Sequence, residues 1–166
     1  MRETRYKTGF TIVELLLAVA IAGMLLVAVA VAFNASAANY RENEEIFRTI
    51  NTARQALSRM TSQLRTATAV DPNAPANECT LITADGKDIT YRYDGAQDTL
   101  FLITNYDLTD SDYVLCENVT AMTCTKTAVV EAGVTKVKSV QISITVTSGN
   151  TQRTVSTAAV IRRNLS

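Results

Sequence analysis

Histidine is absent from this 166-residue chain, which removes both the usual general base of a nucleophilic triad and the commonest metal ligand. With only three cysteines, a zinc site of four Cys or His ligands cannot be completed, so no metal is expected. The six glycines form no phosphate-cradling loop, and no motif pairs two acids for acid–base work. These gaps argue against an enzyme, and no cofactor is expected. An excess of either charge is missing too: 16 Lys and Arg balance 16 Asp and Glu, so no basic field points to nucleic acid as a partner. Proline occurs only at Pro72 and Pro75, leaving everything before Asp71 free to form uninterrupted helix.

What is present is concentrated at the start. From Leu15 to Phe33 every residue is apolar or glycine, about 19 positions, and with Phe10 to Val13 the run reaches the ~20 residues needed to cross a bilayer. Glu14 is the only charge inside it. An acid one turn into such a helix costs up to ~3 kcal/mol in lipid, so it marks a function or a partner. An ordinary secretory signal fits poorly, because its apolar region would be shorter and its cleavage site would follow that region. Arg2, Arg5 and Lys7 outweigh Glu3 before the run, whereas Arg41, Glu42, Glu44 and Glu45 after it sum to a negative charge. The positive-inside bias therefore keeps the leader cytoplasmic and everything after about Phe33 outside.

Lys7-Thr8-Gly9-Phe10-Thr11-Ile12-Val13-Glu14 resembles the prepilin signal of type IV pilins and type II secretion pseudopilins. Gly9 stands before the family's cut, Phe10 is the new N-terminal aromatic, and Glu14 is the acid five residues after the cut. The resemblance implies cleavage after Gly9 by a prepilin peptidase of the membrane aspartic class, which also methylates the new Phe10 amine. It implies a role for Glu14 in assembly: a neighbouring subunit's amine would sit against the carboxylate in a filament core of low dielectric and set the axial register. The alternative is that Glu14 snorkels to the headgroups or bonds to its own amine.

Beyond the membrane the helix continues. Ile46, Ile50, Ala53, Leu57, Met60, Leu64 and Ala67 recur at spacings of four and three, a single apolar stripe with polar residues between. Asp71-Pro72 disfavours helix before it, so the helix is expected to end near Ala69. The stripe would pack on a sheet; a coiled-coil seam is the other possibility. Downstream the period changes to two. Strands are expected over Thr80 to Thr83, Ile89 to Asp94, Thr99 to Thr104, Tyr113 to Val119, Ala121 to Val130, Val137 to Thr147 and Gln152 to Arg162, with turns at Asp85-Gly86, Asp94-Gly95, Gly133 and Ser148-Gly149-Asn150. Val140, Ile142, Ile144 and Val146 give one strand an apolar face toward the helix. The expected fold is α+β: a long N-terminal helix, half in membrane and half packed on an antiparallel sheet, the ladle shape of pilins. The expected division is a leader at 1–9, a transmembrane half at 10–38 and an extracytoplasmic domain at 39–166.

Arg54-Gln55-Ala56-Leu57-Ser58-Arg59-Met60, Ile89-Thr90-Tyr91-Arg92-Tyr93-Asp94, Glu117-Asn118-Val119-Thr120 and Val160-Ile161-Arg162-Arg163-Asn164, in that order, look like the J-class minor pseudopilins and PilW-class minor pilins. Major pilins usually carry a proline in the membrane half, where this chain has Val31 and no proline. The resemblance implies a minor subunit that helps to initiate or cap a type II secretion pseudopilus or type IV pilus. Its partners would be the peptidase, other major and minor pilins or pseudopilins, and the inner membrane. A pilin-like adhesin or DNA-uptake receptor, and a single-pass membrane protein outside any filament, are the rival readings.

Three cysteines in an oxidising compartment suggest one disulfide and one leftover thiol. Cys116 and Cys124 flank a proposed turn near Asn118 and are the preferred pair across a hairpin; Cys79 is the alternative partner of either. Asp107, Asp110 and Asp112, with Asp94 and Asp98, could gather around calcium, but their spacing matches no EF-hand and a solvated loop is favoured. The sequons at Asn34 and Asn118 are assigned no function.

Overall fold

The structure, a computed structural model, describes residues 9–107, 109–131 and 133–162. One helix, α1, runs over Ile12–Thr66 and is followed by eight strands. The chain divides into two compact units, Met1–Arg41 and Glu42–Ser166. In the first, the helix carries no buried residue over its most apolar stretch, an 18-residue window of mean hydropathy 2.9 that is long enough to cross a membrane.

In the second unit the helix becomes one wall of a core. Ala53, Leu57, Met60, Leu64 and the following Ala67 are buried, as the period-3.6 stripe predicts, with Ile46 at its margin and Ile50 packed against the cluster. The stripe lies in the domain's own core, so it is not a coiled-coil seam. The helix ends at Thr66, three residues before the expected Ala69. Ala67 N–H turns back to the Leu64 carbonyl at 3.3 Å, and Thr68 N–H then donates to Ile82 at 2.8 Å. Sheet pairing captures the next two residues, so Ala69 and Val70 form a strand in place of a last helical turn.

That strand, β1 (Ala69–Val70), opens a five-stranded antiparallel sheet with β2 (Glu78–Ile82), β3 (Asp88–Asp94), β4 (Thr99–Thr104) and β5 (Tyr113–Cys116), in chain order. A second, three-stranded antiparallel sheet contains β6 (Val119–Glu131), β7 (Val134–Ser148) and β8 (Thr151–Val160). Alternation places most of these strands within a residue or three of their expected limits. The exception is the expected strand Tyr113 to Val119, which breaks after Cys116. There Asn118 takes a left-handed conformation, φ 57°, and the chain leaves one sheet for the other. Val119 N–H donates to Asp98 at 2.8 Å and Thr147 N–H to Asn118 at 2.9 Å, which pins the crossing to both sheets.

The two sheets and the helix close over one core. Leu81, Tyr91 and Leu100 enter from the first sheet, and Val119, Met122, Val140, Ile142, Ile144 and Val146 from the second, against Leu57, Met60 and Leu64. Each such aliphatic side chain contributes about 1.5–3 kcal/mol by leaving water. Tyr91 is fully buried, and its hydroxyl donates to the Gln63 side chain on the helix. Gly149, at φ 55° in the β7–β8 turn, is held close to the helix start of this unit: a Cβ there would meet Glu42 Oε1 at 3.3 Å.

Candidate processing and assembly site

The helix begins on a reciprocal cap. Thr11 N–H and Thr11 Oγ1–H both donate to Glu14 Oε2, each at 2.9 Å, while Glu14 N–H returns to Thr11 Oγ1 at 3.3 Å. This is the capping box, Thr-x-x-Glu, which satisfies helix donors that would otherwise face an apolar medium. The pattern stands in the sequence as Thr11-Ile12-Val13-Glu14 immediately before the apolar run, and sequence reasoning that treats Glu14 only as an intermolecular group misses it. Both donations fall on Oε2, which leaves Oε1 as an open acceptor among the described residues.

Phe10 precedes the cap and is 74% exposed. A Cβ built on Gly9 meets nothing within 4 Å, and Gly9 has no left-handed conformation that would demand glycine. Among the described residues nothing requires glycine at this position. The leader charges Arg2, Glu3, Arg5 and Lys7 lie outside the described residues, as do Arg163 and Asn164.

Away from this end, the cysteines are arranged differently from the hairpin expectation. Cys116 closes β5 in the first sheet and Cys124 lies in β6 of the second, so the two do not face each other across a turn. The Cys116 thiol donates to the Glu117 carbonyl at 3.4 Å, whereas Cys124 and Cys79 lie together in the buried core and each perturbs the ionisation of the other. All three are free thiols in the structure. The Cys79 thiol and the nearby Lys126 ammonium draw the Cys124 pKa down; the Cys124 thiol and burial push that of Cys79 up.

The acidic loop is occupied by local hydrogen bonds. Asp107 accepts from Thr109 N–H at 3.0 Å and Thr109 Oγ1 at 2.6 Å, which holds its pKa below the usual range. Asp110 accepts from Thr104 and Tyr113, and Asp112 faces Arg92 at 3.4 Å. Asp94 accepts from Ala96 N–H at 2.9 Å, and Asp98 occupies a left-handed turn position. Among the described residues no three His, Cys, Asp or Glu side chains converge as a cation site. An open groove of about 700 Å³ runs between the helix and β8, lined by Arg54, Ser58, Arg65, Ser156 and Arg162 without a carboxylate or thiol.

Residues 4–30 match the family described as prokaryotic N-terminal methylation motif. The chain carries a prepilin-type methylation motif. The match takes in residues 4–8, Gly9, Phe10, the capping box and most of the apolar run. Together with the long apolar helix and the α+β architecture it fits a pilin-like protein, and it is consistent with single-pass anchoring in the inner membrane. No curated protein and no solved structure matches the chain.

Proposed function

We propose that the chain is a minor pilin or pseudopilin subunit that helps to initiate or cap a type II secretion pseudopilus or type IV pilus, closest in kind to the J-class and PilW-class subunits. The observation that carries this is the methylation motif over residues 4–30, continuous with an unburied apolar stretch of helix whose one acid, up to Phe33, is Glu14. Prepilin peptidase cuts after Gly9, and the same enzyme class methylates the Phe10 amine. Glycine at a position where the fold would accept any side chain is a residue read by a protein outside the chain. The leader stays cytoplasmic, the helix half at 10–38 spans the inner membrane, and the domain at 39–166 lies in the periplasm. In the filament a neighbour's Phe10 amine, about 6 Å along the axis from its own Glu14, meets the open Oε1 of this chain's Glu14.

Intact mass and N-terminal sequencing of protein from its native membrane test the processing. The expected chain starts at methylated Phe10, and Gly9→Leu leaves it full length. Full-length wild type beside an active peptidase would overturn the reading. Loss of the gene should lower filament number or secretion; unchanged filaments and secretion would argue against the minor-subunit role.

One observation favours a second reading, an anion-binding pilin: Arg54, Arg65 and Arg162 line one groove on the domain. It predicts salt-sensitive retention of DNA by the full chain, lost in Arg54→Ala/Arg65→Ala. Retention unchanged by those substitutions would reject it.

A further inference from the structure

Cys79 and Cys124 lie on different sheets, yet the fold delivers their thiols to the same buried spot. Both side chains are buried in the same core cluster, β2 packs against β6, and each thiol perturbs the ionisation of the other. Their approach is fixed by the backbone. Cys124 N–H donates to the Ala76 carbonyl at 2.7 Å, and two residues on, the Lys126 ammonium reaches the carbonyls of Ala74 at 2.6 Å and Glu78 at 3.3 Å. This strand therefore lies along the segment leading into Cys79.

A bulge sets which side of β6 faces inward. Val119 pairs with Val146 but Ala121 with Thr145, so one extra residue enters between them. Without it, the inward face starting at Val119 would continue through odd-numbered residues; with it, Met122 and Cys124 turn in and are buried.

The third cysteine is excluded by strand order. Cys116 sits on β5, three strands from β2 in the order β2-β3-β4-β5. At roughly 4.8 Å per strand that is about 14 Å from Cys79, twice the Cα separation a disulfide spans. Its thiol is turned to the Glu117 carbonyl.

We propose that Cys79 and Cys124 close an intramolecular disulfide that ties the five-stranded sheet to the three-stranded sheet, with Cys116 left as a thiol. The oxidant is a thiol–disulfide oxidase of the extracytoplasmic space, so closure in the cell rests on the proposed orientation of the domain. The Cys124 thiolate attacks one sulfur of the oxidase disulfide, forming a mixed disulfide and releasing the oxidase's second cysteine as a thiolate. Cys79, on losing its proton, attacks Cys124 Sγ and expels the oxidase's first cysteine. The chain loses two protons and two electrons, and the oxidase gains the two electrons as a dithiol. Because both thiols are buried in the finished domain, exchange takes place before β6 has docked. Cys124 is the attacking partner because Lys126, two residues on and on the same side of β6, favours its ionised form before docking as well as after.

The test uses the full chain in its native membrane. Free thiols are blocked with N-ethylmaleimide, and the chain is cut without reductant by trypsin and a glutamate-specific protease, which separates Cys116 from Cys124 at Glu117. The expected result is one linked peptide pair, Cys79 with Cys124, and alkylated Cys116. Any linkage containing Cys116 overturns the proposal. If all three are alkylated, purified full chain is unfolded and refolded in oxidised and reduced glutathione. Closure of Cys79–Cys124 there upholds the pairing and assigns the failure to the orientation of the domain, whereas three free thiols after refolding overturn the pairing itself.

Discussion

Glu14 caps its own helix and, on the proposed function, also pairs with a neighbour's amine; three substitutions tell the two apart. Glu14→Ala removes both. Glu14→Gln keeps an acceptor oxygen for the Thr11 N–H and hydroxyl, each 2.9 Å from Oε2, but removes the charge. Thr11→Ala keeps the charge and the backbone N–H and removes the hydroxyl, which is both a donor to Glu14 Oε2 and the acceptor of the Glu14 N–H. A cap is worth about 0.5–2 kcal/mol and is felt locally, as fraying of the first turn. A charge-assisted hydrogen bond between subunits is worth about 1.5–3 kcal/mol, or roughly 10- to 150-fold in subunit affinity. Membrane insertion should not suffer, because loss of the carboxylate makes the span more apolar by up to ~3 kcal/mol. The assay has two readouts: N-terminal mass in the membrane fraction, and the share of subunit recovered in sheared filaments. All three variants should be inserted, cleaved and methylated. Glu14→Ala and Glu14→Gln should both fall at least ~10-fold in filament recovery, with Thr11→Ala close to wild type. Wild-type recovery of Glu14→Gln together with failure of Thr11→Ala would show that the cap is what matters. Wild-type recovery of Glu14→Ala would show that the carboxylate is dispensable and that the periplasmic domains drive assembly.

Two further outcomes concern the domain. A fragment starting at Asn39 should fold as a monomer, and Leu64→Ala, at a fully buried site facing both sheets, should cost it about 3–4 kcal/mol, or roughly 10–15 °C in thermal midpoint by circular dichroism; a drop under ~3 °C would mean that the stripe does not pack as described. Burial pushes the Tyr91 hydroxyl from 10.0 up to about 12, so the unfolded chain ionises first as pH rises and the stabilising difference, intact below pH 10, is lost by about pH 12. Denaturant melts across that range should show a fall of about 2–3 kcal/mol that Tyr91→Phe largely removes; an equal fall in both proteins would place the titrating group elsewhere.

The helix and strands were legible because their signals are local. Seven apolar positions at spacings of three and four, without proline, can only be one face of a helix, and the run from Val140 to Thr147 alternates without a break. What the sequence withheld depends on partners distant along the chain. Nothing near Asn118 announces that the strand before it and the strand after it belong to different sheets, because that choice is made by Asp98 and Thr147. The hairpin expected between Cys116 and Cys124 is absent for the same reason: nearness in sequence suggested it, while the two lie in different sheets and a bulge and carbonyls of the 74–78 segment place Cys124. The early end of the helix likewise follows from β2, which offers Ala69 and Val70 a partner. The capping box is the opposite case. Its two residues are three apart and were readable, but an acid in an apolar run draws attention to a partner outside the chain and away from the hydroxyl beside it.

The openness around Gly9 has a consequence for how this protein varies. Among the described residues a Cβ on Gly9 would meet nothing within 4 Å, and the most apolar stretch after it has no buried side chain. The first 30 residues are in that sense a cassette: grafted onto an unrelated folded domain, they should carry their processing with them, and the domain behind them can drift in sequence without spoiling it. On that expectation the matched residues 4–30 hold everything the processing enzyme reads, and the domain holds none of it.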